Sequence, residues 1–382
     1  MITLAFFLIS LQSLYFYQFS LPLYSIAGVF ILASRAVLQV FAQRNRAING
    51  IPGYFSALIF APLFVLFLSL LAFSFQLKAE TPRVFVFFVV FLIPLSYAVL
   101  SSEIDPHKIT SYLVVFHSSV FIFQFILFFG LGIDFDPVDL LSDVTQRGWG
   151  GSLNHNALGA FRRLGGMYSE PGTYATYIAP LIAILFSYGE RSKIENYTIG
   201  LGIITLVLSF SIFAWVFCLI IASFMISTSL KRLLAISAVF PAAVWIALPY
   251  IRYRFLDTSR SDEFSGISFR EQIIDSTFIF LSDGLDNLVF GNGLLTTEVP
   301  FDYVGAINDA GLIFFLLFSC GLAGTFYFIF LISKISLRFG IHGVAIGLII
   351  LSSKIYIFAP MFWLILVLAT HLGWKKHTKA VS

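Results

Sequence analysis

The chain has 382 residues; 59% are apolar and only 11% charged, with a mean hydropathy of +0.93 and a formal net charge of +3. A soluble domain carries about a quarter charged residues, so this composition excludes an ordinary soluble protein and points to a polytopic membrane protein, with no nucleic-acid partner expected. The 46 phenylalanines suit a lipid-facing surface, and Cys218 and Cys320, both inside apolar runs, are too few for a disulfide framework or a metal site.

A membrane span needs about 20 apolar residues. In chain order, spans are predicted over 2–18, 20–41, 52–74, 83–101, 109–132, 173–188, 233–250 and 309–332. The first starts at Met1 without a basic leader or a small-residue cleavage pattern, so it is expected to be an uncleaved anchor. Two longer stretches, 196–228 and 340–371, exceed one span, and they divide near Ser211 and near Lys354. The fold class expected is all-α: one polytopic transmembrane helical bundle, 1–382, of about twelve spans, with 11 to 13 possible.

Charge supports that division. With both termini cytoplasmic, every short inner loop is basic, and the inner side holds thirteen of the 23 basic residues against four acids, Glu103, Asp105, Glu190 and Glu195. Merging 196–228 into one span would place Lys231 and Arg232 outside. Two long outer loops remain, 133–172 and 251–308, and they are the large polar surfaces of the chain. No internal repeat, low-complexity tract or soluble domain is visible, so function is expected in these loops and the cavity below them.

The first loop opens on Asp134, Asp136, Asp139 and Asp143, whose plain explanation is a solvated linker, since EF-hand spacing is missing. Trp149, in a turn-rich segment, suits either stacking on a sugar ring or the interfacial aromatic belt. Arg162 and Arg163 then precede a helix start, with Ser169 as expected N-cap, Pro171 in the first turn and Glu170 suiting the dipole. Cations near a helix N-terminus are unfavourable unless an anion joins them, and pyrophosphate fits both arginine forks and helix-start N–H groups.

In the second loop, Arg252 and Arg254 alternate with tyrosines, a pattern that also serves interfacial anchoring, and Arg260 follows. Ser268 and Glu271 form a capping-box pattern for an amphipathic helix over about 269–282, with Ile273, Ile274, Phe278 and Leu281 as its apolar stripe. Arg270 sits in its first turn, again a cation where the dipole disfavours one. Gly291-Asn292-Gly293 is a turn, and Asn308, beside Asp309, has a plain explanation as the cap of the next span.

The segments RRLGGMYSEPGTYATYIAPL, SFREQI, FGNG and NDAGLIFFLLFSCGLAG, in this order, resemble the O-antigen polymerase (Wzy-type) and O-antigen ligase superfamily of polytopic, GT-C-like membrane glycosyltransferases. The resemblance spans about 145–330. It implies polymerisation of polyprenyl-pyrophosphate-linked oligosaccharide units on the outer face of the bacterial cytoplasmic membrane, without cofactor or metal, and a chain-length regulator protein as possible partner. It carries over Arg163 and Arg270 as phosphate or glycan contacts, with Glu170 beside them. Arg162, Arg254 and Arg260 stand behind these, Trp149, Tyr168 and Asn308 are expected to contact substrate, and Glu170 and Asp309 are the candidate bases. Ligases of this superfamily carry a histidine just before the late Gly-Leu-x-Gly span; here 303–309 has none, which favours polymerase over ligase.

Two other functions fit a multi-span chain. A secondary transporter or lipid flippase would place ionisable groups inside its spans, where His117, His342 and Lys354 are the few candidates. His117 has an ordinary explanation as a hydrogen-bonded packing residue, and Lys354 as the cap of a short outer turn. A cell-surface sugar acyltransferase would need a placed His/Asp pair, which the sequence does not offer.

Overall fold

The structure, a computed structural model, describes residues 2–12, 14, 23–42, 105–142, 163–188, 192–226, 268–292, 310–354, 357 and 359–381. The predicted spans at 52–74, 83–101 and 233–250 lie outside the described residues. Among the described residues the protein is all-helical, with no strand. Among the described residues two helices are long and apolar enough to cross a membrane: Pro106–Gly130, 25 residues, and Leu312–Leu337, 26 residues.

The described helices are α1 (Ile2–Ser10), α2 (Leu23–Ala42), α3 (Pro106–Phe125), α4 (Pro137–Leu141), α5 (Pro171–Tyr188), α6 (Lys193–Leu208), α7 (Ile212–Ile226), α8 (Ser268–Ser282), α9 (Leu285–Phe290), α10 (Leu312–Leu337), α11 (Gly343–Ser352) and α12 (Pro360–Val381). Both divisions expected from hydropathy are found. The run 196–228 breaks at Ser209–Ser211 between α6 and α7, and 340–371 breaks between Ser352 and Pro360 around Lys354.

α5 is the centre of the bundle, apolar on every side and buried along nearly its whole length. Such a helix stands only where neighbours cover all faces. α3 and α6 line one side of it, joined by hydroxyls that would otherwise be stranded in an apolar core: Ser111 Oγ donates to Thr198 Oγ1 (3.3 Å), Ser118 and Thr205 share a bond (3.2 Å), and Tyr174 Oη donates to Thr205 Oγ1 (2.6 Å). These contacts run α6 alongside α3 and antiparallel to α5. α11 is also antiparallel to α5: Ser187 donates to the His342 carbonyl at one end, while Gly172 adjoins Lys354 at the other. The N-terminal hairpin is tied in through His117 Nε2 and Ser10 Oγ (2.9 Å) and through Met361 N–H donating to Gln12 Oε1 (2.8 Å). His117 is thus the packing residue its sequence context implied.

α3 shows an apolar outward face, with Tyr112, Phe123 and Ile126 each more than half exposed. Such a stripe suits cover by lipid or by a packed neighbour.

The end of the bundle at Pro106, Tyr188 and Gly343 is charged and capped. Asp105 accepts from the His107 N–H, and Ser192 with Glu195 forms a complete capping box for α6. Glu195 also places Oε1 3.0 Å from His107 Nδ1, tying the starts of α3 and α6 together. Glu195→Ala is expected to destabilise the protein by about 1–2 kcal/mol, because cap and cross-helix contact are lost together. Glu195→Gln, which retains the cap, should lose less, and thermal unfolding in detergent checks the order.

Three details differ from expectation. α8 buries Ile273, Thr277 and Leu281, one face at four-residue spacing, while Phe278 is exposed (55%), so a threonine takes the place assigned to that phenylalanine. Its hydroxyl is satisfied within the helix by the Ile273 carbonyl. The cap of α10 is Gly311, at φ 107°, and Asn308 lies upstream, outside the described residues. α10 is not one straight span either: Gly321 interrupts it at φ 59°, ψ −163°.

Candidate functional site at the paired helix starts

The segment Arg163–Gly172 folds into the bundle rather than hanging over it. Gly165 and Gly166 make a turn so tight that a methyl on Gly165 would stand 2.5 Å from the Tyr168 carbonyl oxygen, and Gly166 takes φ 59°, a region that disfavours side chains. The turn drops Leu164, Met167 and Tyr168 into the core and leaves Arg163 and Glu170 half-buried at its rims. The Tyr174 N–H then donates to the Glu170 carbonyl (2.9 Å), so Glu170, not Ser169, occupies the cap position and Pro171 is the first helical residue.

Tyr168, expected to contact substrate, is fully buried. Its ring stacks on Tyr177 (centroids 5.6 Å apart) and lies 5.0 Å from His117. Its hydroxyl finds no hydrogen-bond partner among the described residues. Burial, reinforced by Tyr177 and Tyr174, pushes the phenol well above its ordinary pKa, so it stays protonated. Tyr168→Phe is therefore expected to be neutral or stabilising by up to about 1 kcal/mol, since an unbonded buried hydroxyl is removed. Tyr174→Phe should destabilise by about 1–2 kcal/mol, because it strips a bonded hydroxyl from Thr205. Melting temperatures of the two variants, whose rings meet edge-on with centroids 6.0 Å apart, test the distinction.

Three further pieces meet the start of α5. The α6–α7 turn brings Ser211 alongside: a methyl built on Gly172 would lie 3.9 Å from Ser211 Oγ and 3.9 Å from Lys354 Cε. Phe210, within that turn, is held at φ 52° and fully buried, a conformation worth about 1–2 kcal/mol of strain for a residue with a side chain. The Trp215 indole braces the turn by donating to the Val207 carbonyl (3.1 Å). Lys354 projects over Phe213, with Nζ 5.6 Å from the ring centroid, in cation–π range. Finally, α10 begins here: the Leu312 N–H donates to the Ser353 carbonyl (2.8 Å), and a methyl on Gly311 would meet the Ser352 carbonyl at 3.3 Å.

The starts of α5 and α7 thus lie side by side with Lys354 between them, and α10 starts nearby. Helix starts present unbonded N–H groups and partial positive charge. An ammonium there adds to the same field instead of offsetting it. Lys354 adds a cation at the start of α5, and Glu170 brings a carboxylate to the cap of the same helix.

Sequence context explains Lys354 as a turn cap and does not reveal its place beside the Glu-Pro-Gly helix start. The available signal was a solitary cation in an apolar run of some thirty residues. Arg270 lies in the first turn of α8, its side chain outside the described residues. α8 follows α10 in the same direction, Phe278 against Phe314 and Phe280 against Phe318. The backbone therefore carries the N-terminal turn of α8 toward the end of α10 that meets Ser353. Arg162, Trp149, Arg254, Arg260, Asn308 and Asp309 lie outside the described residues. Asp136, read as part of a solvated linker, caps α4 by accepting from the Val138 and Asp139 N–H groups.

No family model matches the chain, and no curated protein matches it.

Proposed function

We propose that this protein is a membrane glycosyltransferase that polymerises lipid-pyrophosphate-linked oligosaccharide units into a surface polysaccharide on the outer face of a bacterial cytoplasmic membrane. In this reading the chain is a bundle of about twelve spans with both termini inside, and the paired helix starts face outward. The observation that carries it is the burial of Leu164, Met167 and Tyr168, which presents Arg163 and Glu170 beside the start of α5, where Lys354 and Ser211 also gather. The Wzy-like order of motifs supports the same conclusion.

The donor is a sugar whose anomeric carbon carries polyprenyl pyrophosphate, and the acceptor is a hydroxyl of a second lipid-linked unit. The acceptor oxygen forms a bond to the anomeric carbon from the side opposite the leaving group, the bond from that carbon to pyrophosphate oxygen breaks, and the configuration inverts. The hydroxyl proton passes to a carboxylate, Glu170 or Asp309. Pyrophosphate leaves readily, so the protein's work is to align two lipids and neutralise the departing charge. Arg163 and Arg270 take that charge, being permanently ionised and geometrically matched to phosphate, with Lys354 added to them from its place beside the start of α5. Arg162, Arg254, Arg260, Trp149 and Asn308 complete the proposed substrate contacts. A chain-length regulator is the protein partner such an enzyme would use.

A flippase or secondary transporter of the same lipid-linked unit is the second reading, favoured by the break in α10 at Gly321, since interrupted spans line transport sites. An O-antigen ligase is the third. Surface polysaccharide after deletion of the gene separates them. Single repeat units without long chains are expected. Long chains retained on the carrier lipid would mean ligation, and no units outside would mean flipping.

A further inference from the structure

We infer that Gln124 is a positioning residue for the outer site, one carboxamide that clasps both arms of the loop 133–172. This rests on the reading of the Arg163–Glu170 segment as the substrate end. Gln124 is the last polar residue of α3 and is fully buried. Its Oε1 accepts from the Gly166 N–H at 3.0 Å, and its Nε2 donates to the Phe135 carbonyl at 3.0 Å. The first bond holds the turn between Arg163 and Glu170, and the second holds the chain just before the Asp136 cap of α4. α3 continues into a π-turn at Ile126–Gly130 immediately beyond, and the Phe123 ring packs against Phe135 (centroids 5.6 Å apart) beside the second bond.

The two bonds use the acceptor and the donor of the same planar group, so their directions are fixed relative to each other. A shift of the Gly166 turn would move Arg163 and Glu170 apart or together, and reactions that depend on alignment are sensitive to displacements of about 1 Å. Packing alone would be met by any apolar side chain of this size. The carboxamide adds orientation.

The test uses the full-length protein in lipid nanodiscs with Gln124→Met, which keeps size and removes both bonds, and Gln124→Glu, which keeps the acceptor for Gly166. Hydrogen exchange reports on the clasp without reference to activity. In Gln124→Met the Gly166 amide is expected to exchange about tenfold faster, the loss of one hydrogen bond, with Gln124→Glu closer to wild type. Chain elongation on lipid-linked oligosaccharide should then show kcat lowered about tenfold or more in Gln124→Met, with KM little changed. Unchanged Gly166 exchange overturns the inference, whatever the activity. Faster exchange with wild-type kcat overturns the positioning role alone. If the wild-type protein transfers no sugar, the functional reading fails, and the clasp is still decided by exchange. Should Gln124→Met not assemble, Gln124→Leu, which also removes both bonds, carries the same comparison of Gly166 exchange and kcat.

Discussion

Replacing Arg163 with alanine is expected to leave the protein folded in the membrane and to reduce polymer made in a deletion strain by about a hundredfold or more, the scale on which loss of one transition-state charge contact acts. The reason for expecting normal folding is local. Arg163 is half-buried at the rim of a turn whose anchoring comes from Leu164, Met167 and Tyr168 beneath and from the Gly166–Gln124 bond. The reason for expecting loss of function is electrostatic. A departing pyrophosphate must be met by charge fixed in place before it forms, and water at this end is a poorer substitute than an oriented guanidinium. Arg163→Lys keeps the charge and loses the fork, so it should fall between alanine and wild type. Lys354→Ala should lower activity by a smaller factor, about tenfold, since an ammonium on a flexible stem offers a point charge without bidentate geometry. Polymer amount per unit of membrane-inserted protein is the measurement. Full polymer from Arg163→Ala at normal protein levels would remove the central support for the proposed chemistry.

Hydropathy and charge mark two breaks inside apolar runs, near Ser211 and Lys354, but not the end of the first helix, expected at 18 and found at Ser10. The breaks at Ser211 and Lys354 were visible because serine and lysine in such a run, together with basic inner loops, leave little choice. What was not legible was which helix starts meet. Lys354 and Gly172 are separated by nearly half the chain, and no periodicity reports that the loop after α11 returns to the start of α5. The burial of Tyr168 was equally hidden. Beside two arginines and a glutamate it is expected to contact substrate, and the double-glycine turn sends it inward. The cap of α5 was misplaced by one residue because serine is the commoner capping side chain, whereas here the first helical bond goes to the carbonyl of Glu170. In α8 the apolar stripe includes Phe278, which is exposed, while Thr277 fits the four-residue spacing of the buried face with Ile273 and Leu281.

The largest structural effect is expected at a pair of glycines, Gly291 in an expected turn and Gly321 inside an expected span. Gly291, after α9, and Gly321, at the break of α10, press backbone against backbone. A methyl on Gly291 would stand 2.5 Å from the Gly321 nitrogen, and one on Gly321 would stand 2.4 Å from the Val289 carbonyl oxygen. Both residues also have positive φ, 74° and 59°. The contact is sealed by the Asn292 N–H, which donates to the Phe318 carbonyl (2.7 Å), and that carbonyl lies in the turn leading to the break. Alanine at either position combines a left-handed strain of about 1–2 kcal/mol with a backbone clash that no rotamer change relieves, so a total loss of about 3 kcal/mol or more is expected. Gly132, also at positive φ but with no atom within 4 Å of its would-be methyl, is the control. Gly132→Ala should lose only the conformational part, about 1 kcal/mol. Membrane yield and melting temperature should therefore fall sharply for Gly291→Ala and Gly321→Ala and little for Gly132→Ala. Because α8 is held against α10 partly through this contact, the glycine variants should also lose polymer. That loss should track protein level, unlike the loss from Arg163→Ala, which should appear at normal level.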